Sequence, residues 1–386
     1  MHIGRLAFAS MLLLGVASTH AAEVKVVPAD FIVLNPTNPD KGYSDLMVHA
    51  VIVATGARET RTLSGLRVDI LSSGHVLLSR ELVPDEMVEG TRYLASAPFP
   101  EFVEGQVLNG KGLNGVFGRD VGFASSAALA PSQAILAMRL HFSVGFKADA
   151  VRATATFAGG ETASADVPVR GYSSPISYRM PLSGQWLMQA IPGVQSHHRF
   201  NPSTEFAVDF FKLGPDGHVV HGDKLDANNF PGYGASVTAA ADGTVVAVIA
   251  DQVQDRPALV KRPEETLSGY YKRVDEFHMS QMRKNFRAAN SGNLVTLRHE
   301  AGGVVKYSSY GHLKSGSVRV KVGDAVKQGQ VIGEVGDTGD SAAVHLHFQV
   351  NACADAFTCM SLPVAFANMR SVDNNDELAR LVTDEP

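Results

Sequence analysis

Apolar and polar positions alternate along much of the first half of the chain. In the stretch ILAMRLHFSVGF the alternating apolar residues are Leu136, Met138, Leu140, Phe142 and Val144. Similar stretches follow and precede it, separated by turn residues such as the Gly159-Gly160 pair. A period of two is typical of half-buried β-strands. Short strands at this spacing, without a convincing helix, predict a β-sandwich of immunoglobulin-like type over residues 22–175.

The strand pattern breaks near Pro175 and Pro181 and then resumes. We therefore predict a second, antiparallel β domain over residues 176–370, which makes the whole chain mainly β. Residues 254–289 are charged and compatible with helix, and they predict a helical insertion between two strands. The tail, residues 371–386, is acidic, and its stretch DELARLV predicts a short helix.

Composition narrows the class of protein only a little. The chain has 386 residues, of which 45% are hydrophobic and 19% charged, as is ordinary for a globular protein. A formal net charge of −5 gives no support to a nucleic-acid partner, which usually requires a basic patch.

The N-terminus has the three parts of a secretory signal. Arg5 supplies the positive charge, residues 6–16 form an apolar run, and small residues follow it. We predict a signal peptide over residues 1–21 with cleavage near Ala21. No other segment is apolar enough for stable membrane insertion, so the expected location is periplasmic or secreted.

Cys353 and Cys359 are the only cysteines. Export makes a disulfide between them the favoured interpretation over two free thiols. The bridge would close a short loop and have no catalytic role.

Two histidines stand either side of one leucine in the stretch SAAVHLHFQV. His345, His347 and Gln349 share one side of a predicted strand, because residues two apart in a strand point the same way. A polar sheet face that happens to contain histidine is the simplest interpretation. A metal or catalytic site is the alternative.

Asp209 favours the alternative. In the stretch FAVDFF it projects from the face opposite to Phe206, Val208 and Phe210, and a carboxylate there is costly to bury unless it is paired or binds a metal. His197 and His198 lie upstream, close enough for a loop to bring one of them beside Asp209.

One carboxylate and two imidazoles form a common catalytic zinc shell with a fourth position open. The chain has no HExxH motif, because His299-Glu300 is not followed by a second histidine at the required spacing. A glutamate base of that type is therefore absent, and proton transfer must fall to histidine. His278 of the insertion is expected to be solvated.

Residues from about 181 to 366 resemble the lysostaphin-like (LytM-type) zinc metallopeptidase domain. Several separate blocks occur in the order of that family, namely H-R, F-A-V-D-F, A-A-D-G-T-V-V, G-N-L-V-T-L, Y-G-H-L, V-G-D-A-V-K-Q-G-Q-V-I-G-E-V-G-D-T-G and H-L-H-F. The resemblance covers about half of the chain and leaves the N-terminal sandwich outside.

This resemblance implies a role for each candidate residue. One Zn²⁺ per chain would be held by His198, Asp209 and His347. His312 and His345 would take the two catalytic positions that do not bind the metal, orienting water and stabilising the tetrahedral intermediate.

The sequence departs from the family pattern in two places. The gap between His198 and Asp209 is longer than family members often have, so His197 is an alternative first ligand. Ala343-Val344 replaces the usual Gly-Pro before H-L-H.

The resemblance implies a zinc metalloendopeptidase that cuts peptide bonds in peptidoglycan cross-links, with stem peptides as substrate. All five candidate positions carry the required residue type, which favours an enzyme. The alternatives are a non-catalytic activator or binding module for cell-wall amidases, and a hydrolase acting on another amide. The sandwich would position the wall, cover the cleft or bind a protein regulator.

Overall fold

The structure is a computed structural model that describes residues 22–97, 108, 112–189, 196–371 and 379–384. The predicted signal peptide lies outside the described residues. The part that the structure describes is mainly β-strand, with a smaller share of helix.

The first half of the described chain folds as two facing β-sheets. Its strands are β1 (Glu23–Val27), β2 (Ile32–Val33), β3 (Asn35–Asn38), β4 (Tyr43–Ala54), β5 (Arg61–Ser72), β6 (His75–Leu82), β7 (Gly122–Phe123), β8 (Ala128–Leu129), β9 (Gln133–Val144), β10 (Ala150–Phe157) and β11 (Thr162–Arg170). One sheet has the order β1-β4-β9-β7 with β3 beside β4, and the other has the order β2-β11-β10-β5-β6 with β8 beside β5. Alternate apolar side chains of both sheets meet in one buried cluster, so the arrangement is a sandwich. Its immunoglobulin-like type stays a prediction.

Helices occur where the alternation had predicted none, and that part of the prediction is wrong. They are α1 (Pro84–Ala95) and α2 (Gly112–Phe117). Proline at the first helical position and Asp85 in the first turn favour a helix start at α1. Met87 and Leu94, seven positions apart, are buried on one face of the helix. The proline, the acidic residue and the helical spacing of apolar residues could be seen in the sequence, but they lie in a stretch where most elements are strands.

The second half is built on one antiparallel sheet. Its strands are β12 (Gln185–Gln189), β13 (Val208–Phe211), β14 (Ser236–Thr238), β15 (Gly243–Ile249), β16 (Asn293–Ala301), β17 (Val304–Leu313), β18 (Ala325–Val326), β19 (Val331–Glu334), β20 (Leu346–Asn351), β21 (Ser361–Leu362), β22 (Met369–Ser371) and β23 (Ala379–Asp384). The ten-stranded sheet has the order β18-β15-β16-β17-β20-β13-β12-β23-β22 with β21 beside β20, while β14 and β19 pair separately. The prediction of a mainly β chain with an antiparallel second half is confirmed.

Helices interrupt this sheet between β15 and β16, where the insertion was predicted. They are α3 (Arg256–Leu259), α4 (Leu267–Lys284) and α5 (Phe286–Ser291). Short 3-10 turns lie at Pro39–Lys41, His197–Phe200 and Ala227–Asn229. No helix in the described ranges is both long and apolar enough to span a membrane.

The helix predicted near the C-terminus is wrong over residues 379–382, and residues 376–378 lie outside the described part. Residues 379–384 form β23, which pairs with both β12 and β22. Val382 lies opposite Trp186 and is fully buried. Pairing with an existing sheet and burial of one face outweigh the weak local preference for helix.

The predicted boundary at residues 175/176 falls between two buried clusters. The cluster inside the sandwich ends along the chain at Val169, and the cluster of the second half resumes at Ile176. Val33 of β2 nevertheless packs into the second cluster, so the two halves share a contact.

Candidate active site

The register of three neighbouring strands brings the candidate residues together. Asp209 of β13 lies directly opposite His347 of β20, and Gly311 of β17 lies opposite His347 on the other side. Leu346 and Phe348 are fully buried in the core on the other face of β20. The sheet therefore presents the carboxylate and the imidazole on one face, as the alternation predicted.

Asp209 is the centre of the cluster. Its Oδ2 lies 3.1 Å from Nε2 of His198 and 3.5 Å from Nε2 of His197. Its Oδ1 lies 3.0 Å from Nδ1 of His347 and 3.8 Å from Nε2 of His345. Asp209 is only 4% exposed, so its carboxylate is surrounded by these imidazoles rather than by bulk water.

Two histidines compete for the position of first metal ligand. The ligand atoms of His197, His198 and Asp209 all lie within 4.8 Å of one another. The side chain of His197 is 70% exposed, whereas that of His198 is 13% exposed. The His198 ring also packs edge-on against His347, with 4.8 Å between the ring centroids. This placement supports His198 as the ligand, and the assignment stays a prediction.

The charges in the cluster depend on one another. Burial alone would raise the pKa of Asp209, but the facing imidazoles, His198 foremost, hold it well below its usual value. Burial lowers the pKa of His198 to about 4, although Asp209 opposes that shift. His198 is therefore neutral near pH 7, which is the form that binds a metal.

Gln349 fixes the orientation of the His347 ring, a role that was not predicted from the sequence. Its Nε2 faces three carbonyl acceptors, the backbone oxygens of Ser203 and Ala356 at 3.1 and 2.9 Å and Oδ1 of Asn351 at 2.7 Å. The amide oxygen of Gln349 must then point the other way, where it accepts from Nε2–H of His347 at 2.7 Å. Nδ1 of His347 is left facing Asp209.

The facing atoms of Asp209 and His347 form a site for a cation. With Nε2–H donated to Gln349, Nδ1 of His347 presents a lone pair to a carboxylate oxygen 3.0 Å away. Two acceptors in such contact repel each other unless a proton or a metal ion lies between them. Burial alone would lower the pKa of His347, but the bond and charge of Asp209 raise it above its usual value. The donor set of two imidazoles and one carboxylate fits zinc.

The rings of His312 and His345 are held in the opposite tautomer to that of His347, with the proton on Nδ1 and not on Nε2. Nδ1–H of His312 donates to the carbonyl of Thr338 at 2.8 Å, and Nδ1–H of His345 donates to the carbonyl of Ala343 at 2.8 Å. Each Nε2 therefore carries a lone pair. The two rings lie side by side, with 4.5 Å between centroids.

Both of these imidazoles are neutral near pH 7. Burial lowers the pKa of His312 well below its usual value, and the neighbouring histidines add to that shift. Burial also lowers the pKa of His345, against the opposing charge of Asp209. Both residues can accept a proton at Nε2.

The backbone around His312 is tightly constrained. His312 has a φ of 59°, a left-handed conformation that is uncommon for residues other than glycine and that occurs at functional sites. Its acceptor, Thr338, belongs to a loop packed against Gly292, where a Cβ atom would lie 2.2 Å from the Thr338 carbonyl oxygen. Gly292 therefore permits the approach that holds the His312 ring.

The helical insertion packs against the loop that follows Thr338. Nε2 of Gln254 donates to the carbonyls of Gly339 and Ser341 at 3.2 and 2.9 Å. Nδ1 of His278, in α4, lies 3.2 Å from Oδ1 of Asp340, and the His278 side chain is 20% exposed. The expectation that His278 is solvated is therefore wrong, because the helix lies against the loop beside His345.

Cys353 and Cys359 form the disulfide favoured by the sequence. The loop that they close supplies the Ala356 carbonyl to Gln349 and the Cys359 carbonyl to Asn351. The loop therefore supports the amide that orients His347.

All five predicted site residues lie in one cluster, and their roles stay predictions. Zn²⁺ would be held by His198, Asp209 and His347, with His312 and His345 beside it. Asp209 and His347 are opposed in the sheet, whereas His198 reaches them from a 3-10 turn.

Comparison with known proteins supports the resemblance. Residues 281–358 match the model of peptidase family M23, a range that includes His312, His345 and His347. A protein of Buchnera aphidicola subsp. Baizongia pistaciae (strain Bp), described as an uncharacterized metalloprotease, is 42% identical over 60 residues. The aligned stretch covers 16% of this chain and 15% of that protein.

Several solved structures are similar to about half of the chain. The catalytic domain of lysostaphin from Staphylococcus simulans is 23% identical, with 50% of this chain and 86% of that chain covered and a TM-score of 0.23. The M23 protein EnpA of an Enterococcus faecalis prophage is 15% identical, with 50% and 92% covered and a TM-score of 0.23. A putative peptidase M23 from Pseudomonas aeruginosa is 16% identical, with 55% and 74% covered and a TM-score of 0.26.

Proposed function

We propose that this chain is a zinc metalloendopeptidase that cuts peptide bonds in peptidoglycan cross-links, because residues 281–358 match the model of peptidase family M23. One observation carries the proposal: a single buried carboxylate, Asp209, is contacted by imidazoles from separate parts of the chain. A structural ion pair needs one partner, whereas this cluster has the composition of a catalytic metal site.

The metal would be held by His198 through Nε2, by Asp209 and by His347 through Nδ1. When bound, zinc lowers the pKa of a coordinated water and polarises the carbonyl of the scissile bond. Gln349 keeps the His347 ring in the tautomer that this arrangement requires, as partners of metal-binding histidines commonly do.

His312 and His345 divide the proton transfers between them. Each holds Nδ1–H on a backbone carbonyl, which leaves Nε2 free to take a proton from the attacking water or, once protonated, to give one to the leaving amine. The protonated ring also stabilises the developing oxyanion. Burial of both rings keeps them neutral at rest, which is the state from which a base must start.

An activator without catalysis is the weaker reading. An activator of that kind needs no metal. It also has no need for imidazoles held in two different tautomers, with Nδ1 of His347 facing Asp209 and Nδ1–H of His312 donating to a backbone carbonyl. The retained cluster therefore supports an enzyme.

Substrate and location belong to the same proposal. A signal peptide over residues 1–21 would deliver the chain to the periplasm or the exterior, where peptidoglycan stem peptides lie. The helical insertion, which borders the loop next to His345, would form one wall of the cleft that receives them.

Digestion of purified peptidoglycan by the zinc-loaded full chain tests the function. Mass analysis of the released fragments should show cross-link peptides cut at one type of peptide bond, and chelation should stop the release. His347→Ala serves as the matched inactive protein. Metal-free protein that stimulates an amidase, while the zinc-loaded protein releases nothing, would establish the activator instead.

A further inference from the structure

One histidine of the N-terminal sandwich reaches the segment that carries the candidate metal ligands. His49 lies in β4 and is 2% exposed. Its Nε2 lies 2.7 Å from Oε2 of Glu205, which is 4% exposed. Glu205 belongs to the loop that joins His198 to Asp209. The contact is therefore buried on both sides and connects the sandwich with the metal-binding segment.

Glu205 also closes that loop on itself. Its other oxygen, Oε1, accepts from Nη1 of Arg199 at 2.7 Å, and Arg199 is completely buried. Arg199 follows His198 directly, within the 3-10 turn His197–Phe200. Both oxygens of Glu205 are thus engaged, one by the turn that carries His198 and one by the sandwich.

A carboxylate of the sandwich also interacts with the charge of Arg199. Asp45, in the same strand as His49, is 2% exposed and accepts from Oγ of Ser143 at 2.7 Å. Burial alone would raise the pKa of Asp45, but His141, Ser143 and the charge of Arg199 lower it. The strand that carries His49 therefore also carries a buried carboxylate that interacts with the charge of Arg199.

The loop has further contacts: Oγ1 of Thr204 donates to the carbonyl of His198 at 3.4 Å, and two side chains of β20 hold Ser203. Nε2 of Gln349 and Nδ2 of Asn351 donate to the carbonyl of Ser203 at 3.1 and 2.9 Å. Those bonds fix the loop beside β20. Within the described residues, the side of the turn next to Arg199 is fixed by Glu205 and, through it, by His49.

We propose that the N-terminal sandwich positions the candidate zinc ligand His198, with His49 acting through Glu205 and Arg199. The sandwich is then a structural part of the metal centre and not an independent binding module. The inference rests on the proposed function, because the bound metal is what reports the position of His198. Groups that orient metal ligands typically change metal affinity by about 10- to 100-fold when they are removed.

The test measures Zn²⁺ affinity of the full chain by competition with a chromophoric chelator. His49→Leu should weaken Zn²⁺ binding by about 10- to 100-fold, because Glu205 loses the partner that docks it. His49→Gln should restore binding to within about threefold, since its amide N–H reaches about as far as Nε2 of histidine. The visible absorption spectrum of the Co²⁺-loaded protein should change in His49→Leu and return in His49→Gln.

Asp69→Asn is the matched control. Asp69 is a fully buried carboxylate in β5 of the same sandwich, bonded to Arg67 and Ser79. Its loss perturbs the sandwich without touching the turn, so Zn²⁺ affinity should stay at the wild-type value. Equal losses of affinity in Asp69→Asn and His49→Leu would overturn the proposal, because the effect would then be one of general stability.

Two outcomes separate this inference from the proposed function. If the wild-type chain binds no Zn²⁺, both the proposed function and the positioning role of His49 are refuted. If the wild-type chain binds Zn²⁺ and His49→Leu binds it with the same affinity, the positioning role alone is refuted. If His49→Leu does not fold, His49→Asn takes its place, because that amide stops short of Glu205, and the same comparison with His49→Gln decides.

Discussion

Replacing Gln349 tests the assignment of the His347 tautomer most directly. Gln349→Leu keeps a similar volume but removes the oxygen that accepts from Nε2–H of His347 at 2.7 Å. Gln349 is 3% exposed, so water does not readily replace the lost acceptor. The ring then has no group that selects Nε2–H over Nδ1–H, and part of the population presents a hydrogen at Nδ1, where the proposed metal would bind.

The magnitude follows from two independent estimates. Leaving a buried N–H without a partner costs about 1–3 kcal/mol. A lost orienting partner weakens metal binding by about 10- to 100-fold, and each factor of ten is about 1.4 kcal/mol, so this range is about 1.4–2.8 kcal/mol. The two ranges agree, and we expect the Kd for Zn²⁺ to rise by about 10- to 100-fold.

Gln349→Glu separates the orienting role from the structural one. A carboxylate still accepts from His347, but its second oxygen replaces an N–H₂ group that donates to Ser203, Asn351 and Ala356. This variant should unfold at a lower temperature because an anion faces three acceptors, yet bind Zn²⁺ within about threefold of wild type. Chelator competition gives the Kd, and differential scanning calorimetry gives the stability. Wild-type Zn²⁺ affinity in Gln349→Leu would refute the tautomer assignment.

Three other predictions concern the metal, the backbone and pH. His347→Ala should lose Zn²⁺ measured by atomic absorption, whereas His345→Ala should keep it and lose at least about 100-fold in kcat, as expected for a general acid or base. Gly292→Ala should lower kcat by displacing the acceptor of His312, since the new Cβ would sit 2.2 Å from that carbonyl oxygen; unchanged kcat in a folded variant would contradict the role given to this packing. The Arg273 hydrogen bond lowers the pKa of Glu265 from 4.5 to about 2. The stability that this bond adds is thus fully present above pH 4.5 and should disappear as the pH falls towards 2, so that wild type and Glu265→Gln melt alike at the acid end.

Much of the site could be predicted because strand geometry is periodic. The shared face of His345 and His347 follows from a period of two, and the outward position of Asp209 follows from its apolar neighbours in FAVDFF. The register that sets Asp209 opposite His347 depends on pairing between strands far apart in the sequence. Alternation alone fixes which face a residue occupies but not which residue it meets.

Other features depend on contacts that no local pattern contains. Gln349 was visible on the same face as the two histidines, but its role depends on carbonyls brought in by two separate loops. The choice between His197 and His198 depends on a 3-10 turn whose orientation comes from buried contacts. The C-terminal strand β23 was predicted as helix because its pairing partner, β12, lies far upstream.

The bond between Asp209 and His347 joins positions 138 residues apart along the chain. The entropy cost of closing such a loop comes before the contact can stabilise the fold. A chain in which β13 and β20 have not paired therefore has the histidines and the carboxylate but not the proposed metal site. The proposed activity would therefore begin only once β13 has paired with β20.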